Sequence, residues 1–382
     1  MTERARKLAI EVLNETAEML KSGKGRPSVK IGLTTFGSEV GVEALVAGAK
    51  LAMQRDSGIE VVIIGPCSDD SLKSYPAEDE ETVHKTLENL LDSGEIHGAV
   101  TMHYPFPIGV STVGKVVTPA RGKTMYIATS TGTSDTNRVQ AMVKNAVYGI
   151  AVAKADGIEN PTVGILNIEG ARQVERQLKA MQEKGYSFKW GESARSDGGQ
   201  VLRGNDLIMG SVDVLVTDTL TGNVLMKMFS AYSSGGNYET TGYGYGPGIG
   251  KGFNRLIHIL SRASGTPVIA NAIEYCASMV RGKLLKIKEE EIAKAERAGW
   301  IVEAPKAEKK AEEETVEMPP EKVVESQISG IDILEIDDAV KALWKNKIYA
   351  SSGMGCTGPV VLVAKEDYEK ALEVLKNSGF LG

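Results

Sequence analysis

The stretch that decides the fold is QAMVKNAVYGIAVAKADGIENPTVGILNI, which runs from Gln140 to Ile168. Its first half repeats apolar residues at helical spacing, and the turn at 156–161, with its glycine and proline, ends that helix before a short apolar run. A helix followed directly by a short apolar strand is one half of a β-α-β unit. We therefore expect a largely parallel sheet with helices on its faces, and thus an α/β fold.

The same alternation extends along residues 29–302. We predict strands in VKIGLTTFG (29–37), IEVVIIGP (59–66), HGAVTM (97–102), KTMYIATS (123–130) and VDVLVTD (212–218). We predict helices in EALVAGAKLAMQR (43–55), ARQVERQLKAMQEKG (171–185) and NVLMKMFSAY (223–232). Residues 1–28 predict one amphipathic helix, with apolar residues that include Ile10, Leu13 and Leu20 on one side.

Residues 303–327 interrupt this pattern. Half of the stretch from Glu303 to Ser326 is charged and it holds three prolines, so it cannot bury enough apolar surface to fold and predicts a linker. Beyond it, residues 328–382 predict a small ββα segment, with strands near 347–350 and 360–364 and a helix from about Asp367.

Composition excludes several classes of protein. The net charge of −6 argues against a protein that binds nucleic-acid phosphates. Three cysteines without a CxxC pair exclude a disulfide framework, and none of the four histidines is four residues from another, so we expect no metal. No signal peptide or membrane-spanning run is evident, which favours a cytoplasmic location.

Two segments suggest anion binding. The first is VDVLVTDTLTGNVLMK (212–227), where we expect a helix to begin near Asn223. A phosphate would bind at the start of this helix, close to Asp218, Thr221, Gly222, Asn223 and Lys227. A capped helix that binds no ligand is an equally open interpretation. The second is TTGYGYGPGIGKGFNRLIHIL (240–260). There Gly248, Gly250 and Lys251 would approach an anion before a helix beginning near Phe253, or the segment is only a surface loop. It matches neither GxGxxG nor the Walker A motif.

The third segment of interest is SSGMGCTGP (351–359). Cys356 is surrounded in sequence by small residues, namely Gly353, Gly355, Thr357 and Gly358. The glycines would leave the thiol sterically accessible and leave backbone amides free to bind an oxyanion, as a thiol nucleophile requires. These local features leave an incidental cysteine equally open. Cys67 lies at a predicted sheet edge, whereas Cys276 lies in an apolar stretch that predicts a core position.

The segments 135–170 and 204–227 resemble the phosphate acyltransferases of the PlsX type. Their common features are the Gly-Ile-Glu-Asn-Pro turn before a strand that ends in Leu-Asn-Ile, and the Thr-Asp and Gly-Asn-Val elements. The opening VKIGLTTFGSEVG departs from that family's Asp-Ala-Met-Gly-Gly-Asp beginning. The resemblance covers roughly residues 29–290 and implies the fold of phosphotransacetylases and isopropylmalate dehydrogenases, which is a mixed, mostly parallel sheet with a cleft for acyl and phosphate groups.

Four other features are similar instead to the family of alpha subunits of component C of glycine/sarcosine/betaine reductase complexes. They are the N-terminal helix, the altered first loop, the linker and the cysteine-bearing tail. This resemblance implies that Cys356 carries acetyl as a thioester, which inorganic phosphate releases as acetyl phosphate. It also implies a beta subunit and a carboxymethyl-carrying selenoprotein as partners, an oligomeric assembly and no cofactor. Asp218 would then orient phosphate or hold Lys227.

Three alternatives remain open at this point. A fatty acyltransferase would move an acyl chain from a carrier protein to phosphate and would need a long apolar channel and no cysteine. A non-catalytic subunit would only lend its surface to an assembly. A nicotinamide dehydrogenase on a related sheet would need a phosphate fingerprint, which is missing.

Overall fold

The computed structural model describes residues 13, 16, 28–67, 69–196, 198–301, 316–332, 335–355 and 358–381. Most of the predicted N-terminal helix and residues 303–315 of the predicted linker lie outside these ranges, so both stay predictions. None of the helices in the described part of the chain is long and apolar enough to cross a membrane.

Twelve strands form one sheet. They are β1 (Val29–Thr34), β2 (Ile59–Ile64), β3 (Lys73–Tyr75), β4 (Gly98–Thr101), β5 (Val110–Val117), β6 (Thr124–Thr133), β7 (Thr162–Leu166), β8 (Lys189–Trp190), β9 (Val201–Leu202), β10 (Val214–Val216), β11 (Gly246–Ile249) and β12 (Ile257–Ile259). The strand order is β3-β2-β1-β4-β12-β11-β5-β6-β10-β7-β8, and β9 pairs with β7.

The strands form two parallel groups joined by antiparallel pairs. Strands β1, β2, β3, β4 and β12 pair in parallel, and so do β6, β7, β8, β9 and β10. Between the groups, β11 is antiparallel to both β12 and β5, and β5 is antiparallel to β6. The mixed, mostly parallel sheet predicted from the sequence is therefore confirmed.

Helices cover both faces of the sheet. They are α1 (Val42–Arg55), α2 (Glu80–Asp92), α3 (Arg138–Ala155), α4 (Ala171–Glu183), α5 (Gly204–Met209), α6 (Thr219–Ala231), α7 (Thr266–Arg281) and α8 (Leu284–Arg297). In β2 the side chain of Ile63 packs into one core cluster, whereas those of Val62 and Ile64 pack into another. A strand that is apolar on both faces needs helices on both, which explains its unbroken apolar run.

The C-terminal segment has its own core. Strands β13 (Ser326–Ser329), β14 (Ala350–Gly355) and β15 (Gly358–Val363) form an antiparallel sheet in the order β13-β15-β14. Helices α9 (Ile336–Lys345) and α10 (Tyr368–Asn377) pack on it through Leu343 and Leu375, among others. The predicted small C-terminal segment is confirmed, with one more strand and one more helix than the ββα prediction.

The prediction of a helix near Phe253 is wrong. The segment instead forms β11, a loop and β12, and Gly246, Gly248 and Gly250 sit where a side chain cannot fit. A Cβ atom at Gly248 would lie 2.3 Å from the ring of Phe106, and one at Gly250 would lie 2.4 Å from the carbonyl oxygen of Gly109. These glycines therefore serve close strand packing, and the glycine spacing alone cannot distinguish that use from a ligand loop.

Candidate functional site

A cavity of about 310 Å³, which we call the cleft, is lined by residues from both parallel groups of strands. Its walls come from Glu39 in the loop after β1, Met102 after β4, Thr131 near the end of β6, Asn223 and Lys227 in α6, Tyr245 just before β11, and residues 259–263 at the end of β12. Ligands of open α/β sheets bind beyond the carboxyl ends of strands, which is where most of these residues lie.

Lys227 brings an ammonium group to the cleft. Its Nζ atom donates to Glu239 Oε1 at 3.0 Å and to Ser261 Oγ at 2.7 Å, and it lies 5.5 Å from the centre of the Tyr245 ring. The Lys227 side chain is 50% exposed, whereas that of Glu239 is 2% exposed. The charge of Lys227 is therefore fixed at the wall of the cleft and still open to a ligand.

The buried carboxylate of Glu239 connects Lys227 with two neighbouring hydroxyl groups. Besides Lys227, its carboxylate accepts hydrogen bonds from the Tyr245 hydroxyl at 3.2 Å and the Ser264 hydroxyl at 2.9 Å. Burial, and then the neighbouring charge of Glu239, raises the pKa of Tyr245 well above its usual value, so this phenol stays a donor. Glu239 thus positions Lys227.

Arg262 supplies a second cation. Its side chain is exposed in the cleft wall, and within the described part of the chain no hydrogen bond or ion pair engages its guanidinium. Only its backbone carbonyl is used, by the amide of Glu39 at 2.8 Å. A free guanidinium near a fixed ammonium is suited to a phosphate-like dianion, because charge-assisted hydrogen bonds to such groups are the strong ones.

The predicted anion turn is the first turn of α6. The helix begins at Thr219, four residues before the predicted start, and Asp218 caps it by accepting from the amides of Leu220 and Thr221, both at 3.1 Å. The Thr221 hydroxyl also donates to Asp218, at 2.6 Å. These donors already face a carboxylate, so they do not present a free cradle to phosphate. Asp218 pairs with Arg138 rather than with Lys227.

Gly222 and Asn223 follow in the same helix. A Cβ atom at Gly222 would lie 1.7 Å from the carbonyl oxygen of Thr129, so only glycine lets α6 lie this close to β6. The Asn223 amide donates to the carbonyl of Ser130 at 3.1 Å, which holds the side chain at the cleft. Of the residues predicted in this segment, Asn223 and Lys227 line the cleft.

The residues predicted in the glycine-rich segment lie elsewhere. Gly248 is buried in β11, Gly250 follows it, and neither lines the cleft. Lys251 makes an ion pair with Glu296 of α8. The structure therefore does not bring these three predicted residues to the cleft, although Tyr245, Ile259 and Leu260 of the same segment line it.

Of the three cysteines, the structure describes two. Cys276 is fully buried, as predicted, and burial raises the pKa of its thiol far above the usual value. Cys67 is half-buried just after β2 and does not line the cleft. Cys356 and Thr357, between the paired Gly355 of β14 and Gly358 of β15, lie outside the described residues, as do the side-chain surroundings of those two glycines.

The residues of the site that sequence reasoning missed include the three that carry its charge argument: Glu239, Ser261 and Arg262. Ser261 and Arg262 directly follow the apolar run IHIL, so the rule that ligands gather at strand ends could have found them. Because that run was assigned to a helix, the rule was not applied. Glu239 carries no comparable local signal, since only the fold brings it to Lys227.

Comparisons with known proteins agree with one another. The sequence model of a family described as "Fatty acid synthesis protein" matches residues 29–362. The glycine/sarcosine/betaine reductase complex component C subunit alpha of Peptoclostridium acidaminophilum is 55% identical over 371 residues, which is 96% of this chain and 96% of that protein. The phosphate acyltransferase of Thermotoga petrophila is 27% identical over 234 residues, covering 52% of this chain and 67% of that protein.

Among solved structures, a branched-chain phosphotransacylase from Enterococcus faecalis V583 aligns with a TM-score of 0.44 and 16% identity. The alignment covers 66% of this chain and 99% of that one.

Proposed function

We propose an acyl-transfer function for this chain from the premise that it belongs to the fatty acid synthesis protein family, and within it to the alpha subunits of component C of glycine/sarcosine/betaine reductase complexes. The phosphate acyltransferase of Thermotoga petrophila is a more distant relative. Inorganic phosphate is the acyl acceptor that we propose, and acetyl is the acyl group.

The observation that carries this proposal is the pair of cations in the cleft. The Lys227 ammonium is fixed by Glu239 and Ser261, and the Arg262 guanidinium has no partner among the described residues. A cavity of about 310 Å³ lies at the small end of ligand sites, which suits phosphate with a short acyl group better than a long acyl chain.

The chemistry we propose passes through Cys356. Its sulfur carries acetyl as a thioester, and a phosphate oxygen held in the cleft attacks the carbonyl carbon. The carbon–oxygen bond forms, the tetrahedral intermediate collapses, the carbon–sulfur bond breaks, and the thiolate leaves with acetyl phosphate as product. Lys227 and Arg262 hold the phosphate in place. A bound phosphate loses little further translational and rotational freedom during the attack, which lowers the activation free energy.

Partners belong to the same proposal. The relative from Peptoclostridium acidaminophilum is named as one subunit of one component of a reductase complex. We propose that this chain likewise assembles with a beta subunit and with a selenoprotein that carries a carboxymethyl group.

The test is to incubate the full chain with acetyl phosphate and to measure its intact mass, followed by identification of the acetylated peptide. We expect one acetyl group on the peptide that contains Cys356. Cys356→Ser should lose it, because a serine hydroxyl is far harder to deprotonate than a thiol, whereas Cys67→Ser should keep it.

Three results would overturn the proposal. An acetyl group found on Cys67 would show that Cys67, and not Cys356, carries it. Rapid exchange of phosphate into acetyl phosphate by Cys356→Ser would show direct transfer without a thioester. No acetylation and no exchange, with the beta subunit present, would indicate a non-catalytic assembly subunit.

A further inference from the structure

Three side chains able to bind a metal come together outside the cleft. Glu80 is the first residue of α2, His84 lies one turn later, and His103 follows β4 by two residues. One potential ligand atom from each of the three lies within 4.8 Å of the others. Helix α2 and the loop after β4 thus both bring potential metal ligands to one place on the surface.

The contacts show how the three are held. His103 Nδ1 lies 2.9 Å from Glu80 Oε1, and His84 Nε2 lies 3.0 Å from the backbone carbonyl oxygen of His103. Two ligand atoms bound tetrahedrally to zinc at its usual bond lengths are about 3.4 Å apart. The distance of 2.9 Å between His103 Nδ1 and Glu80 Oε1 is about 0.5 Å shorter than that value, and the other potential ligand atoms lie within 4.8 Å. Glu80 and His103 are about half exposed, so an ion can reach them from solvent.

The local charge favours a cation. Residues 78–81 are four consecutive acidic residues, and Asp79 caps the helix with its carboxylate, which offsets the positive end of α2. The nearby cations are already engaged, Lys85 with Glu81 and Arg255 with carboxylates later in α2. No free positive charge therefore opposes a divalent ion at Glu80 among the described side chains of this helix.

We propose that Glu80, His84 and His103 bind a divalent transition-metal ion, with zinc as the fitting ion. Two imidazoles and one carboxylate are the donors that such ions accept, and water would complete the coordination. The carbonyl of His103 also accepts from Thr101 at the end of β4, and Met102 lines the cleft. The ion therefore fastens the loop that forms one wall of the cleft to α2. It takes no part in the proposed acyl transfer.

The experiment is a calorimetric titration of the chelator-treated full chain with Zn²⁺, paired with thermal melts with and without Zn²⁺. We expect one Zn²⁺ per chain at this site and a rise in melting temperature. His84→Ala and His103→Ala should each weaken binding by about 100-fold or more and remove the thermal shift, since even an outer partner of a metal ligand is worth about 10–100-fold.

The matched control is Glu81→Gln against Glu80→Gln. The two positions are adjacent, and Glu81 pairs with exposed Lys85 on the same helix. Glu80→Gln removes a ligand and should weaken Zn²⁺ binding strongly, whereas Glu81→Gln removes a nearby exposed charge but no ligand and should weaken it far less. Zinc binding that survives both histidine variants, or an absence of binding by the unaltered chain, would overturn the proposal.

Discussion

Replacing Lys227 by methionine tests the cleft most directly. Methionine keeps the length of the side chain and removes its charge, so phosphate loses one of its two cations. Two unit charges about 4 Å apart attract by about 4 kcal/mol near a protein surface, and a hydrogen bond to a charged group contributes about 1.5–3 kcal/mol net. Because Lys227 is half exposed, we expect a loss of about 2 kcal/mol, which is about a 30-fold rise in the Kd of phosphate.

The same substitution also affects folding, and the structure shows how to separate the two effects. Glu239 is buried, so losing its cation leaves an uncompensated charge and lowers the free energy of unfolding by about 2 kcal/mol, less than for a fully buried pair. The double variant Lys227→Met with Glu239→Gln removes both charges, while glutamine can still bond to Tyr245 and Ser264. We expect it to recover stability without recovering phosphate affinity.

The assay is calorimetric titration of the full chain with inorganic phosphate, with urea unfolding measured in parallel. Lys251→Met is the control, because Lys251 lies in the glycine-rich segment and pairs with Glu296. We expect no change in its phosphate Kd. Unchanged phosphate binding by Lys227→Met, or weakened binding by Lys251→Met, would refute the assignment of the cleft.

Three further changes probe the site and the fold. Asn223→Asp should raise the Kd of phosphate at least about tenfold, because it puts a negative charge in the cleft and loses the hydrogen bond to a β6 carbonyl; equal affinity would exclude this residue from the site. Gly222→Ala should lower the free energy of unfolding by about 3 kcal/mol or more, because its Cβ would overlap the Thr129 carbonyl, whereas Gly204→Ala, with no atom near its Cβ, should be neutral or slightly stabilising. Burial lowers the pKa of His258 to about 3. Between about pH 6.5 and pH 3 the imidazole is therefore protonated in the unfolded chain but not in the folded one. The free energy of unfolding then falls by about 1.4 kcal/mol for each pH unit below about 6.5. The urea midpoint of His258→Leu should fall less between pH 7 and pH 5 than that of the unaltered chain, and equal slopes would contradict this.

The sequence by itself determined the fold class and the buried segments. Apolar runs such as Ile59–Ile64 and the buried helix α3 follow from local periodicity, because burying apolar side chains is the main driving force and its pattern is visible in one dimension. Cys276 was placed in the core by the same reasoning. The strand β10 was predicted to within two residues at each end, and two of the residues after it, Asn223 and Lys227, line the cleft.

Only the tertiary structure decided which polar residues share a site. Glu239, Ser261 and Lys227 come from three segments, and their contacts depend on how β12 lies relative to α6. The sequence cannot give this, because an ion pair across the fold leaves no periodic signal. For the same reason the pairing of His103 with Glu80 and His84 escaped a search for closely spaced histidines.

The glycine-rich segment shows the limit most clearly. Glycine permits both a ligand loop and a tight strand contact, and nothing in the spacing of Gly246, Gly248 and Gly250 distinguishes the two. Their use depends on the Phe106 ring and the backbone of Val113 and Gly109, which approach from β5 and the loop before it. Local sequence determines which backbone conformations a residue can adopt. The neighbours that the fold brings to a glycine decide whether it serves a ligand loop or a tight strand contact.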